Sequence, residues 1–347
     1  MSNQHDDNAW QRKDAHLDLA KQDLALTPHA QHPLDAVQLP HAALPEVNLA
    51  DVSTSTTFLG HKLSMPLLIT GMTGGTDRAD RINQALAEIA AEAGLALGVG
   101  SQRAGLAIGR SQKALRSAIK TMPLIGNLGG VQLARPHGLE LALRAIDDLQ
   151  ADALAIHLNP LQEATQIEGE TDWRGVCAAI ETLLSKAPVP IMVKEVGAGL
   201  HPNIARQLAA IGVPILDVAG MGGTNWTRIE AARYSPAEAY NQQRIAPFLD
   251  WGHNTADLLP SVRAACPDTV LIGSGGVRHG LDIARIIALG ADLAGMAGPI
   301  LKTLEPEAGI FDQGALLTSC QIWQEQLQLA LFLTGSANIS QFQRLKR

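Results

Sequence analysis

Aromatic side chains are scarce. Five Phe, five Trp and two Tyr make up 3% of 347 residues, which leaves few platforms on which nucleic-acid bases could stack. An excess of basic charge is missing too. Against 34 Asp and Glu there are 27 Lys and Arg, a formal net charge of -7. That balance argues against nucleic acid as the main partner, while leaving room for a local basic pocket that holds a small phosphate. Cysteine is limited to Cys177, Cys266 and Cys320, an odd number, far apart and with no CxxC pair. They read as reduced thiols in a cytoplasmic protein, neither a disulfide framework nor a zinc site. No uninterrupted apolar run approaches bilayer length, and "MSNQHDDNAW" has neither the basic nor the apolar region of a signal peptide. No membrane is expected.

What is present is a repeat. The chain is 46% hydrophobic, enough for a large core. From residue 66 a short apolar strand, a Gly-rich or polar corner and a helical pattern recur. The strands are "PLLIT" (66–70), "LALGVG" (95–100), "PLIGNLG" (123–129), "ALAIHLN" (153–159), "PIMVKEVG" (190–197), "PILDVAG" (214–220), "TVLIGSGG" (269–276) and "DLAGMAG" (292–298). Among the helices, "TDRADRINQALAEIAAEAG" carries Ala79, Ile82, Leu86, Ile89, Ala90 and Ala93 on one stripe, with Gly94 as its stop. Eight strands alternating with helices predict a closed (β/α)8 barrel, for which about 250 residues suffice. An open doubly wound sheet is the alternative. The expected organisation is one domain, with an N-terminal arm at 1–65, a barrel core at 66–300 and a helical extension at 301–347. The connection from Gly220 to Asp268 is long enough for extra helix near the mouth.

A barrel builds its site at the C-terminal ends of its strands. Those ends read "TGMTGG", "GSQR", "GNLGG", "HLNPLQE", "VKEVGAG", "DVAGMGGTNW", "GSGGVRHG" and "GMAGP", glycine beside hydrogen-bonding side chains on one rim. The last two corners suit a phosphate, with backbone N–H groups made accessible by glycine and with Arg278 adding a cation. Lys194, late in an apolar strand, needs an anion or a carbonyl partner: a ligand, or Glu195 or Asp217. A phosphate-tailed ring with an electron-rich edge near a lysine is what flavin mononucleotide (FMN) offers. Read with period 2, "ADALAIHLNPLQE" places Leu154, Ile156 and Leu158 on one face and Ala153, Ala155, His157 and Asn159 on the other. Pro160 ends the strand.

Together "GMTGG", "GSQR", "HLN-x-x-QE", "KEVG-x-G", "D-V-A-G-x-GGTNW" and "SGG-x-R-x-GLD" resemble, in order and spacing, the type 2, flavin-dependent isopentenyl-diphosphate Delta-isomerases. "RKDAHL" at Arg12–Leu17 matches that family's N-terminal substrate motif. The resemblance implies FMN held by Gly71, Met72, Thr73, Ser101, Asn127, Lys194 and Thr224. It implies backbone contacts to the FMN phosphate from Gly276, Val277 and Arg278 and from Ala297 and Gly298. The diphosphate substrate falls to Arg12 and Lys13, with Ser101, Gln102 and Arg103 helping. Asn159 and Gln162 approach the substrate, and Glu163 holds Mg²⁺. Where the family often carries Ser before "GGTNW", this chain has Ala219.

The implied reaction interconverts isopentenyl and dimethylallyl diphosphate by a 1,3 proton shift on reduced FMN, with NADPH as reductant and a tetramer or octamer as assembly. Gln162 and Glu230 are candidates for orienting or relaying protons, and His157 for proton relay or for binding the diphosphate. The rival is an FMN barrel oxidoreductase acting on a small hydroxy acid or nucleotide. An inosine-monophosphate type of dehydrogenase would want a cysteine at a strand end, and none of the three sits there. A catalytically silent flavin-binding regulator is disfavoured by the intact set Arg12, Lys13, Gln162, Glu163 and Lys194.

Overall fold

Strand formation follows the apolar runs, and the runs close on themselves. A computed structural model describes residues 13–21 and 32–345. Eight parallel strands form the barrel: β3 (Leu67–Ile69), β4 (Ala96–Gly98), β5 (Leu124–Gly129), β6 (Ala153–His157), β7 (Ile191–Lys194), β8 (Ile215–Asp217), β9 (Val270–Ser274) and β10 (Leu293–Met296). The last strand pairs with the first, Ala294 against Leu67 and Met296 against Ile69, which excludes the open sheet.

Period 2 sorts each strand. Leu154 and Ile156 face the helices, while Ala153 and Ala155 join Leu68, Ile125, Met192, Ile215, Ile272 and Leu293 inside the barrel. Further along the same inward rows come Asn127, His157, Lys194, Asp217 and Ser274, so the interior turns polar toward the mouth. The opposite end is plugged. A two-stranded hairpin, β1 (Thr56–Phe58) and β2 (His61–Leu63), inserts Phe58 and Leu63 into the interior cluster. Leu59 and Gly60 make its turn, at φ 49° and 80°. The polar arm expected at 1–65 thus contains the floor of the barrel.

Around the barrel the helix Asp77–Ala93 starts at Thr76, whose Oγ1 accepts from Ala79 N, and stops at Gly94 in the left-handed conformation. The long connection carries the helices Trp226–Arg233, Ala239–Ile245 and Thr255–Ala265. The helix Gln313–Leu333 packs against Gly280–Ala288 and Asp77–Ala93. A helix at 13–21 crosses the mouth. Among the described residues no helix is long and apolar enough to cross a membrane.

Candidate active site

The strand ends and the arm helix enclose a cavity of about 640 Å³. Every site residue expected from the sequence and described by the structure lines it, except Gln102 and Glu230. Arg12 lies outside the described residues. Gln102 is buried, and its side chain is spent on the fold: Oε1 accepts from Asn127 N at 3.0 Å and Nε2 donates to Ala145 O at 3.1 Å. Both ends of its amide being used, it has nothing to offer a diphosphate. Glu230 stands one layer behind the wall, on the helix Trp226–Arg233.

One end of the cavity is a cradle of backbone. The corners after β8, β9 and β10 bring Gly222, Gly223, Gly275, Gly276, Val277, Ala297 and Gly298 to it. Their N–H groups make no hydrogen bond within the described residues, so a cluster of donors is left for an acceptor such as a phosphate. The corners pack so closely that a Cβ on Gly223 would lie 2.9 Å from Gly276 N. Arg278 is not the free cation the sequence suggested. Its Nε and NH2 donate to Asp282, and NH1 and NH2 to Asp35, at 2.5–3.2 Å. Its own N–H donates to Asp282 as well. Arg278's hydrogen bonds, helped by its charge and by Arg285, hold the Asp35 carboxyl down at about 2.

Beneath the middle of the cavity Lys194 is buried and its Nζ donates to Glu195 O at 2.7 Å, the carbonyl option of the sequence reading. Glu195 fixes this corner, one carboxylate oxygen accepting from the N–H groups of Val196, Gly197, Ala198 and Gly199 at 2.7, 2.7, 2.6 and 2.9 Å. Asp217 is fully buried on the neighbouring strand, accepting from Ser274 Oγ at 2.7 Å and from Ala219 N at 3.2 Å. Burial pushes both carboxyls above the usual range, against the pull of Lys194 on Asp217 and of the four N–H groups on Glu195. Ala219 lines the cavity at φ 41°, a left-handed conformation that strains a residue with a Cβ.

His157 has a fixed tautomer. Asn127 Nδ2 donates to Val99 O at 3.0 Å, so its Oδ1 must be the atom facing His157 Nδ1 at 2.8 Å. Nδ1 therefore carries the proton, and Nε2 is an acceptor. Burial, and then the charges of Lys194, Arg103 and Lys13, push the imidazole down to about 3. In this arrangement His157 turns an acceptor nitrogen, not a donor, to the cavity.

The end of β6 delivers a polar row. Asn159 Nδ2 donates to Gln162 Oε1 and to Glu163 Oε1, both at 3.1 Å. Gln162 Nε2 donates to Glu230 Oε1 at 3.2 Å. Glu230 also meets Arg233 at 2.5 Å and His16 Nε2 at 3.0 Å. Burial raises this carboxyl, but His16 and Arg233 outweigh it and hold Glu230 below the usual range. Glu163 accepts from Glu170 N at 2.7 Å, and Glu170 in turn pairs with Arg103 at 2.5 Å. Two donors leave Glu163 with lone pairs to spare, on the cavity wall. Among the described residues no group of three His, Cys, Asp or Glu side chains could hold a metal by itself. One carboxylate plus phosphate oxygens and water is, however, an ordinary Mg²⁺ environment.

Among the cavity residues that the sequence reading did not assign to the site are His32, Ala20 and, although they lie within "RKDAHL", His16 and Leu17. His16, Leu17 and Ala20 join Lys13 on the cavity side of the arm helix. Their spacing of 3, 4 and 7 from Lys13 is the helical signal that would have found them. Lys13 Nζ donates to Gly74 O, which ties the arm to the corner after β3.

A closed eight-stranded barrel with an N–H cradle at its last corners is the build of a phosphate-binding barrel enzyme, and residues 131–346 match the FMN-dependent dehydrogenase family. The fold is shared with crystal structures of mandelate oxidase. The complex with (S)-2-phenylpropionate has a TM-score of 0.63 at 15% identity, covering 96% of each chain. The complex with benzoyl-formic acid has a TM-score of 0.61 at 16% identity, covering 96% of this chain and 97% of that one. Much closer in sequence are proteins named isopentenyl-diphosphate delta-isomerase. That of Stutzerimonas stutzeri is 44% identical, covering 95% of this chain and 94% of its own. That of Xanthobacter autotrophicus is 44% identical over 97% of each, and that of Halobacterium salinarum 42% over 100% of this chain and 95% of its own. The chain belongs to the isopentenyl-diphosphate delta-isomerase family.

Proposed function

We propose that this protein interconverts isopentenyl diphosphate and dimethylallyl diphosphate by a 1,3 proton shift, with reduced FMN, Mg²⁺ and NADPH as reductant. The observation that carries this reading is the row Gln162–Asn159–Glu163, set in the same cavity as the glycine cradle and backed by Glu230 behind the wall. A proton shift needs groups that orient and exchange a proton. A diphosphate needs cations and a hard metal. The row and its neighbours offer both.

Reduced FMN, when bound, supplies a ring that can give and take a proton beside an alkene that ordinary carboxylates protonate poorly. The chain's residues do the rest. Free N–H groups at the last three corners hold a phosphate, and Lys194, fixed on the Glu195 carbonyl, places positive charge where an anionic ring is favoured. Gln162 has its amide orientation set from both sides, Oε1 by Asn159 and Nε2 by Glu230. Glu230, held ionised between His16 and Arg233, fixes the Gln162 amide from behind the wall. His157 offers Nε2 as an acceptor. Lys13, Ser101 and Arg103 approach the diphosphate, and Glu163 would hold Mg²⁺ against it. The arm helix excludes water with Leu17 and Ala20.

The test is an anaerobic assay of isopentenyl diphosphate with FMN, Mg²⁺ and a reductant, omitting each in turn. Each omission should abolish conversion. Conversion without flavin would refute the role given to FMN, and turnover only of a hydroxy acid with net reduction of the flavin would refute the isomerase reading.

A further inference from the structure

The cradle is held together by a residue from outside the barrel. His32 precedes the short 3-10 turn Pro33–Ala36 and reaches into the cavity beside the glycine corners. Its two ring nitrogens have distinguishable tasks. Leu34 N–H can only donate, and it donates to Nδ1 at 3.3 Å, so Nδ1 carries the lone pair. Nε2 therefore carries the proton and donates to Gly222 O at 2.8 Å.

That one bond acts on the next peptide group. The peptide bond between Gly222 and Gly223 is trans, so the Gly222 carbonyl and the Gly223 N–H point in opposite directions. Pulling the carbonyl toward His32 turns the Gly223 N–H away from it. Two glycines in succession would otherwise leave this peptide free to flip. The same ring covers the next corner, where a Cβ on Gly276 would lie 2.8 Å from His32 Cε1 and 2.9 Å from Nε2. His32 thus touches the corners after both β8 and β9. The segment is itself anchored at that spot, because Asp35, three residues on, receives Arg278 and Arg285 at 2.5–3.2 Å.

We infer that His32 is a positioning residue for the phosphate of the cofactor: it sets the Gly222–Gly223 peptide and clamps the two glycine corners so that their N–H groups face one anion. This rests on the reading of that corner as the FMN phosphate site. His32 has both ring nitrogens committed to backbone groups and acts through the glycine corners.

The test compares FMN with riboflavin, which lacks the phosphate, by fluorescence quenching of each flavin titrated with apo-protein. The variants are His32→Leu, which keeps bulk without a donor, and His32→Gln, which restores an N–H near the position of Nε2. His32→Leu should weaken FMN about five- to tenfold, the worth of one positioned hydrogen bond, and leave riboflavin affinity within twofold. His32→Gln should recover most of the loss. An unchanged FMN-to-riboflavin ratio in His32→Leu overturns the inference, as does an equal loss for both flavins, which would mark a merely structural role. If the wild-type protein itself binds riboflavin as tightly as FMN, the phosphate-corner reading fails first, and the role of His32 falls with it.

Discussion

The polarity of the His157 ring is decided by its neighbours. With Lys194, Arg103 and Lys13 nearby and water excluded, the folded protein keeps it neutral down to about pH 3, against an ordinary value of 6.5. An unfolded chain would protonate it from about pH 6.5 downward. The folded pKa being depressed, the neutral ring's contribution is complete above pH 6.5 and is lost as the pH falls toward 3. Between pH 7 and 5.5 the wild type should therefore lose about 1 kcal/mol more stability than His157→Gln, read from urea unfolding. Asp35 and Glu305, both held at about 2, act only at lower pH, and the raised carboxyls of Glu195 and Asp217 are common to both proteins and drop out of the difference. Equal losses in the two proteins would mean that His157 is protonated in the folded state. A second residue carries the metal hypothesis. Glu163→Gln keeps volume and an oxygen but removes the charge, and losing a charge-assisted contact costs about 1.5–3 kcal/mol. The Mg²⁺ needed for half-maximal rate should rise about ten- to a hundredfold, with FMN affinity unchanged. Wild-type Mg²⁺ dependence in the variant would dismiss Glu163 as ligand. At this scale the sequence was legible wherever a strand ended in a motif: His157, Gln162, Glu163 and Lys194 all line the cavity. It was not legible where a side chain turns back into the fold, as Gln102 does, or where its charge is consumed by distant partners, as Asp35 and Asp282 consume that of Arg278.

Among the elements, the eight barrel strands were readable because each is an apolar run bounded by glycine or proline, and a two-face alternation tells inside from outside. The hairpin β1–β2 was not. Its strands "TTF" and "HKL" are three residues each, and each exposes its middle residue, so in a polar arm they look like loop. Only the pairing across Leu59 and Gly60 brings Phe58 and Leu63 to the same face and into the barrel. Phe58 is 4% exposed there. Phe58→Ala should cost about 3–5 kcal/mol of stability, because the cavity left is walled by strands that cannot collapse into it. The site lies at the other end of the barrel. Below the variant's melting temperature, FMN affinity should accordingly match that of the wild type. A loss under 1 kcal/mol in urea unfolding would show that the floor repacks or that the hairpin is not a plug.

Across the whole molecule, the arm, the barrel and the C-terminal helices meet at one carboxylate. Glu305 follows the helix Gly298–Leu304, and its side chain is fully buried. Burial pushes its carboxyl up, but Arg78 at 2.8 Å, Gly309 N at 2.8 Å and Lys21 at 3.1 Å hold it down at about 2. Arg78 also reaches Asp18, and Thr76 Oγ1 donates to Asp14, so three residues of the arm helix are fastened to the rim beside Lys13. This latch is what presents Lys13 and His16 to the cavity. Lys21→Met keeps much of the aliphatic stem and removes the ammonium, while Arg78 and Gly309 still satisfy Glu305, so no buried charge is orphaned. Losing one charge-assisted contact of about 1.5–3 kcal/mol should free the arm without unfolding the barrel. In the isomerase assay KM for the diphosphate substrate should then rise about tenfold or more, with FMN affinity and melting temperature nearly unchanged. Limited proteolysis should report the same event, with substrate and FMN slowing cleavage of the wild-type arm more than that of the variant. If Lys21→Met keeps the wild-type KM, the contact between Lys21 and Glu305 serves the fold alone, and closure of the mouth must rest on Lys13, Asp14 and Asp18.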